Sequence, residues 1–389
     1  MSARRRDVRS DAHGNGDTKG GVPVAERVTV VGAGNAGYAM AADLSLGGHE
    51  VVLYEMPAFV ENLLPIMYSG GIKTTGVGRI GFARPRAVST DIGEAMSRSE
   101  FILVATVANA HGMLAEMMAP HLGSEHLVAL FPGSGGSLVF ADHFRRTGAG
   151  TGVLLVEAYS SPYACRKLHG PGTINIHRQY EANLPIAAFP ARRTEEAIRR
   201  LRPLFPAMIP FRNVLEVALY NPNILVHPTG TLLNLGRIEY TKGDFYLYRE
   251  GFTESVMTFL AAVDQEKMAV LNALGLQGIG YMEMRERLNS LPFHEFAKIS
   301  SKGPLGAQDR YVTEDVPNGL LMLSSLGRHL GVPTPNCDAI IQIFSTINGV
   351  DYRAGGRTVE RLGLAGLSRD QILAYVETGD PQARERIPA

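Results

Sequence analysis

The sequence has little cysteine: Cys165 and Cys337 stand far apart, with no second ligand-like pair beside either. That excludes a disulfide scaffold and a cysteine-based zinc site, and no metal is expected. The usage suits a reducing compartment, the cytoplasm. Excess charge of either sign is also missing. Lys plus Arg and Asp plus Glu both number 38, so there is no electrostatic case for nucleic acid. No uncharged apolar run approaches a membrane span, and no membrane partner is expected. Arg4, Arg5 and Arg6 are not followed by an apolar core, which argues against a secretory signal. Asp7, Asp11 and Asp17 argue against a transit peptide. Residues 1–23 therefore read as a solvated, disordered tail. The rest is ample for two domains, since 45% of the 389 residues are hydrophobic.

From Val24 the pattern alternates strand and helix. Val28–Val31 is a β-rich run, followed by Gly32, Ala33, Gly34, Asn35, Ala36 and Gly37, and then by an apolar helical stretch. Glycine triplets occur by chance, but this one has a strand before it, a helix after it and an acid at the end of the next strand. Gly32 allows the tight turn, Gly34 lets the backbone approach a pyrophosphate, and Gly37 lets the helix pack on the sheet. The helix start, with Asn35 and Ala36, then offers N–H groups to the phosphates. Glu55 falls eighteen residues after Gly37. Its carboxylate suits the adenosine ribose hydroxyls and would repel a 2′-phosphate. Neither Arg nor Lys occurs between Met56 and Asn62, so NAD is expected in preference to NADP.

Phe101–Ala105, Leu127–Phe131 and Val153–Val156 continue the sheet. Asn109, His111 and Ser134 lie at strand ends where ligands bind in such folds. Thr173–His177 and Leu184–Phe189 read as an extra hairpin. The expected fold is α/β, a Rossmann-type doubly wound sheet domain followed by a mainly α-helical second domain. The divisions are a tail over 1–23, a dinucleotide domain over 24–217 and a helical substrate and catalytic domain over 218–389.

In the second part, Asn221–Glu239 stands out. His227, Thr231 and Asn234 share one helical face, and the leucines point elsewhere. Pro228 should push His227 out of the α region, so a kink or a fresh helix start is expected there. Val256, Phe259, Leu260, Val263, Val270, Leu271 and Leu274 mark a long helix closed by Gly275. Ser368 with Gln371 has capping-box spacing and opens a last short helix ending near Gly379.

Tyr163–Arg166, Asn221–Glu239, Phe245–Gly251 and Arg310–Pro317, in that order behind a glycine fingerprint, resemble the octopine/nopaline (opine) dehydrogenase family. The likeness runs from Val28 to about Tyr352. It implies an NAD(P)H-dependent reductive condensation of an amino acid with a 2-oxo acid, acting on a CH–NH bond. It also implies that His227 is the catalytic histidine, Asp315 its partner, and Arg310 the arginine reaching to the cofactor pyrophosphate. Asn109 and Ser134 correspond loosely to residues contacting the oxo acid. Glu157–Pro162 departs from the Glu-Thr-rich turn of many relatives, which bears on substrate choice. The chemistry is consistent, because imine formation needs a group that exchanges protons near neutrality, and histidine does so. A homodimer is compatible with the chain.

Two other functions fit the same plan. One is a reductase acting on an isolated 2-oxo acid, as ketopantoate reductases do. It would need a catalytic lysine, and Lys242, Lys267, Lys298 and Lys302 are available, none of them in a comparable motif. The other is a non-catalytic NAD(H)-binding sensor, for which a proton-transfer pair has no use.

Overall fold

The computed structural model describes residues 25–380 and residue 382, apart from 169, 171, 181 and 301. The tail expected over 1–23 lies outside the described residues.

The alternating apolar runs become strands, in chain order β1 (Arg27–Val31), β2 (Glu50–Tyr54), β3 (Ile72–Gly76), β4 (Phe82–Ala83), β5 (Ala87–Ser89), β6 (Phe101–Val104), β7 (Leu127–Leu130), β8 (Leu154–Ala158), β9 (Tyr163–Lys167), β10 (Thr173–Gln179), β11 (Leu184–Phe189) and β12 (Met208–Pro210). Among the described residues they form two sheets. The larger has the order β12-β11-β8-β7-β6-β1-β2-β5. It is parallel except where β11 runs against β8. The sequence leaves β1 for β2 on one side and returns to β6 on the other. The switch point therefore falls between β1 and β6, and in such sheets ligands bind at the carboxyl ends of the strands there.

The smaller sheet, β4-β3-β10-β9, is built from two excursions out of the main one. It packs on the first helix, Asn35–Leu46, within one apolar cluster. This overturns the expected hairpin. β10 pairs with β3 and β9, while β11 pairs with β8 and β12. Burial explains the separation. All six residues of β11 are buried, as a strand covered on both faces requires, whereas β10 buries only alternate residues near its start.

Beyond the helix Val214–Tyr220 the chain is largely helical. The helix Glu254–Ala273 buries Val256, Leu260, Val263, Val270 and Leu271, and Gly275 follows it at φ +74°. The capping box at Ser368 and Gln371 is formed, and the helix Arg369–Thr378 closes at Gly379. That last helix returns to the sheet domain, where Tyr375 meets the ring of Phe189 at 5.2 Å. One apolar cluster runs through both parts, from Ile102 and Val104 in β6 to Leu225, Leu320 and Phe344. No helix among the described residues is long and apolar enough to cross a membrane.

The helix Asn223–Tyr240 corrects the reading of Pro228. It runs unbroken through the proline, and His227 sits inside it rather than at a break. Pro228 removes one N–H, at a cost of about 3 kcal/mol or more in a helix interior. The run from Ile224 to Thr231 is buried throughout, and that packing holds the helix across the gap. Asn221 ends the preceding helix just before it, its side chain accepting from the Asn223 N–H at 3.0 Å.

Candidate active site

The glycine turn is shaped by close approaches. Gly32 has φ +100°, and a Cβ there would lie 2.8 Å from Thr106 and 3.2 Å from the Ala105 carbonyl, so the turns after β1 and β6 touch. A Cβ on Gly37 would lie 1.7 Å from the Gly32 carbonyl oxygen. Gly34 differs: no protein atom lies within 4 Å of a Cβ built there, and no side chain caps the helix that follows. The space and the uncapped N–H groups fit a pyrophosphate.

Glu55 is buried beside this turn. Its Oε2 accepts the Ala33 N–H at 2.9 Å and Asn62 Nδ2 at 3.2 Å, and its Oε1 accepts the Met56 N–H at 2.9 Å. Lys167 of β9 holds the same residue through its next peptide, donating to the Ala33 carbonyl at 2.6 Å. Its ammonium also sits 3.9 Å over the Tyr38 ring. Lys167 lies far from Glu55 in the sequence, and the smaller sheet delivers it to the turn. Asn35 anchors β9 as well, through Oδ1 to the Lys167 N–H at 2.8 Å.

His227 is 3% exposed. Its Nδ1 lies 2.7 Å from Asp315 Oδ2, its Nε2 lies 2.9 Å from the Tyr248 hydroxyl, and the Tyr311 ring stacks on it at 3.6 Å. An ionised Asp315 fixes the proton on Nδ1, as in other His–carboxylate pairs. Burial pushes the imidazole below its ordinary 6.5, and Asp315 opposes that shift. On the same helix face, Asn234 donates to the carbonyls of Gly230 and Gly251, at 2.9 and 3.1 Å. Asn234 thus pins the segment that carries Tyr248. The Phe245–Gly251 motif contains Tyr248, but nothing in its spacing marks the contact of that side chain with His227.

Arg310 and Glu314 pair at 3.2 Å, with half of the Arg310 side chain exposed. Glu314 also accepts the Ala108 N–H at 3.0 Å, joining the second domain to the turn after β6. The Cys165 thiol of β9 donates to the Asn35 carbonyl at 3.3 Å, a further tie between β9 and the start of the first helix.

Asn109 and Ser134 both meet the second domain. Asn109 donates to the Thr313 carbonyl at 3.0 Å and accepts from Asn318 at 2.5 Å. Ser134 accepts from Asn221 at 3.0 Å. Glu157 holds the Ser134 loop from below, accepting the Gly135 and Ser137 N–H groups at 2.9 and 2.8 Å. Arg357 holds it from above. Buried, it donates to the carbonyls of Gly133, Ser134 and Ala108, and to His111 Nδ1 at 2.9 Å. Nothing in the local sequence around Arg357 signals that role. Of the lysines weighed for an alternative reductase, Lys267 is buried against Asp264 at 2.6 Å, while Lys298 and Lys302 form exposed pairs. No group of three potential metal ligands occurs among the described residues.

A glycine turn with room for a pyrophosphate, in the same fold as a buried His–Asp pair, fits a two-domain, dinucleotide-dependent dehydrogenase. Residues 210–348 match the family described as NAD/NADP octopine/nopaline dehydrogenase, alpha-helical domain. The chain is 33% identical over 357 residues to the opine dehydrogenase of Arthrobacter sp. (strain 1C), covering 90% of this chain and 98% of that protein. It is 27% identical to Protein ocs of Agrobacterium tumefaciens (strain Ach5), covering 89% and 98%. Its fold is similar to that of an octopine dehydrogenase in complex with NADH and agmatine, with a TM-score of 0.73 at 18% identity, covering 92% and 98%. The chain belongs to the octopine/nopaline (opine) dehydrogenase family. It is an oxidoreductase dependent on a nicotinamide cofactor, coupling the amino group of an amino acid to a 2-oxo acid.

Proposed function

We propose that residues 24–217 bind NADH and residues 218–389 supply the acid–base group, with the two substrates meeting at the seam. The observation that carries this is the buried pair of His227 and Asp315 at 2.7 Å. Gly32, Gly34 and Gly37 shape the pyrophosphate site, and the N–H groups of Asn35 and Ala36 face it. Bound there, the nicotinamide supplies the hydride that reduces the imine carbon. His227 exchanges the protons of imine formation, and Asp315 holds its tautomer and stabilises the imidazolium. Asn109 and Ser134, where the turns after β6 and β7 meet the second domain, border the 2-oxo acid. Two buried, unpaired cysteines support a reducing compartment, the cytoplasm. The test is a matrix of amino acids against 2-oxo acids, followed by NADH absorbance. Oxidation that requires one of each is the expected result, and oxidation by an oxo acid alone would refute it.

Glu55 gives the second prediction, a preference for NADH over NADPH. Its carboxylate is already oriented by three donors and can turn a lone pair to the ribose hydroxyls. Glu55→Gln keeps an acceptor for the Ala33 N–H but removes the charge that repels a 2′-phosphate. The ratio of NADPH to NADH dissociation constants should fall by about tenfold, the equivalent of roughly 1.4 kcal/mol. A wild type that binds NADPH as tightly as NADH would contradict this, and would point to Lys167 as the dominant charge.

Arg310 gives the third. Its exposed half lets the guanidinium turn from Glu314 toward the pyrophosphate, and its fork suits that partner. Arg310→Ala should raise the NADH dissociation constant by about tenfold, as loss of a charged hydrogen bond does. Arg310→Lys should recover only part of it. Unchanged affinity in both variants would leave Arg310 as a structural partner of Glu314.

A further inference from the structure

His227 has no free nitrogen. Asp315 takes one ring nitrogen, the Tyr248 hydroxyl takes the other, and Tyr311 covers one ring face. With the Nδ1 proton held toward Asp315, the neutral ring accepts the Tyr248 O–H at Nε2. A substrate must therefore displace Tyr248 or work through it. Displacement is opposed by packing, since the Tyr248 ring lies 5.7 Å from Phe252, 6.2 Å from Phe293 and 4.8 Å from Phe296. Tyr248 is also partly exposed where His227 is buried. The phenol is pushed well above 10, first by burial and then by its neighbours Tyr311, Tyr281 and Asp315. It stays protonated, the form that can take a proton on oxygen while passing on its own.

We infer that Tyr248 is a further catalytic residue: its hydroxyl touches the substrate and relays protons between His227 and the reacting atoms. The inference rests on the reductive condensation proposed above. Attack of the amine on the oxo carbon forms the C–N bond and moves the carbonyl π pair onto oxygen. That oxygen takes the Tyr248 proton while the Tyr248 oxygen takes the proton from Nε2 of the imidazolium. The ammonium nitrogen then returns one proton along the same path. A second delivery, now to the hydroxyl, lets the C–O bond break. Water leaves with the bonding pair, and the nitrogen lone pair closes the C=N bond. One proton is consumed in all, and His227 ends neutral.

Tyr248→Phe keeps the ring and its packing and removes only the relay atom. The expected result is a fall in kcat of about a hundredfold or more, as for loss of a general acid–base step. NADH binding should be unchanged, and the His227 limb of the kcat–pH profile should disappear. Turnover within about tenfold of wild type would overturn the relay. Wild-type single turnovers in H2O–D2O mixtures give a second reading that does not depend on the variant folding. Two protons in flight give a curved dependence on deuterium fraction, and a straight line overturns the proposal. Loss of activity in His227→Ala but not in Tyr248→Phe would refute the relay alone. Loss in neither would refute the acid–base reading beneath it.

Discussion

His227→Ala should lower turnover by about two to four orders of magnitude, the range for a positioned general acid–base group. NADH binding should barely change, because the glycine turn is built by other elements. Asp315→Asn should also be damaging, since an amide can present its N–H to Nδ1 and select the wrong tautomer. The double variant should be little worse than His227→Ala, as the two residues act as a unit. The pH dependence carries a sign. Burial already holds the imidazole below 6.5, and Asp315 is the main influence raising it. Oxidation of the opine needs the neutral ring, so its rate should fall as pH drops through that lowered value. Asp315→Asn removes the raising influence and should move this limb to still lower pH. Reductive condensation needs the imidazolium and should lose rate as pH rises through the same value. Near-wild-type turnover of His227→Ala would leave a core histidine and no acid–base chemistry.

The glycine turn offers an effect as large with a different signature. Gly37→Ala places a methyl 1.7 Å from the Gly32 carbonyl oxygen, and neither backbone can yield without moving the turn. Overpacking of this kind costs about 1–3 kcal/mol and occasionally more. Both the cofactor-free Tm and NADH affinity should fall, the latter by about a hundredfold for a displacement costing roughly 2.7 kcal/mol of binding. Gly34→Ala is the contrast. Gly34 has φ −73° and ψ −167°, which alanine adopts, and its Cβ would meet no protein atom within 4 Å. Its Tm without cofactor should stay at the wild-type value while NADH affinity drops. A Gly34→Ala protein that binds NADH normally would mean that the pyrophosphate does not pass over this position.

Particular residues show where the sequence was legible. The order strand, glycine turn, helix, strand, acid is local, and the demand on Gly37 comes from Gly32 five residues before it, whereas Gly32 is crowded by the distant Ala105 and Thr106. The capping box at Ser368 was legible for the same reason. His227 and Asp315 are 88 residues apart. The sequence supplied both candidates through resemblance, but only folding brings one ring nitrogen onto the carboxylate. Arg357, Lys167 and Tyr248 had no comparable local signal. Their partners are backbone carbonyls or a side chain on distant elements, and no periodicity encodes such pairings. The hairpin expected between Thr173 and Phe189 failed because strand partners are chosen by burial across the molecule. Pro228 misled for a related reason: local propensity favoured a break, and the buried run around it outweighed one missing hydrogen bond.

The central claim is that this chain joins an amino acid to a 2-oxo acid by reduction of the imine between them. The most direct measurement is mass spectrometry of the product formed from 15N-labelled amino acid, a 2-oxo acid and NADH deuterated at the transferring position. The account predicts a single secondary amine carrying both labels, with the deuterium on the former oxo carbon. A deuterated 2-hydroxy acid beside untouched labelled amino acid would contradict it.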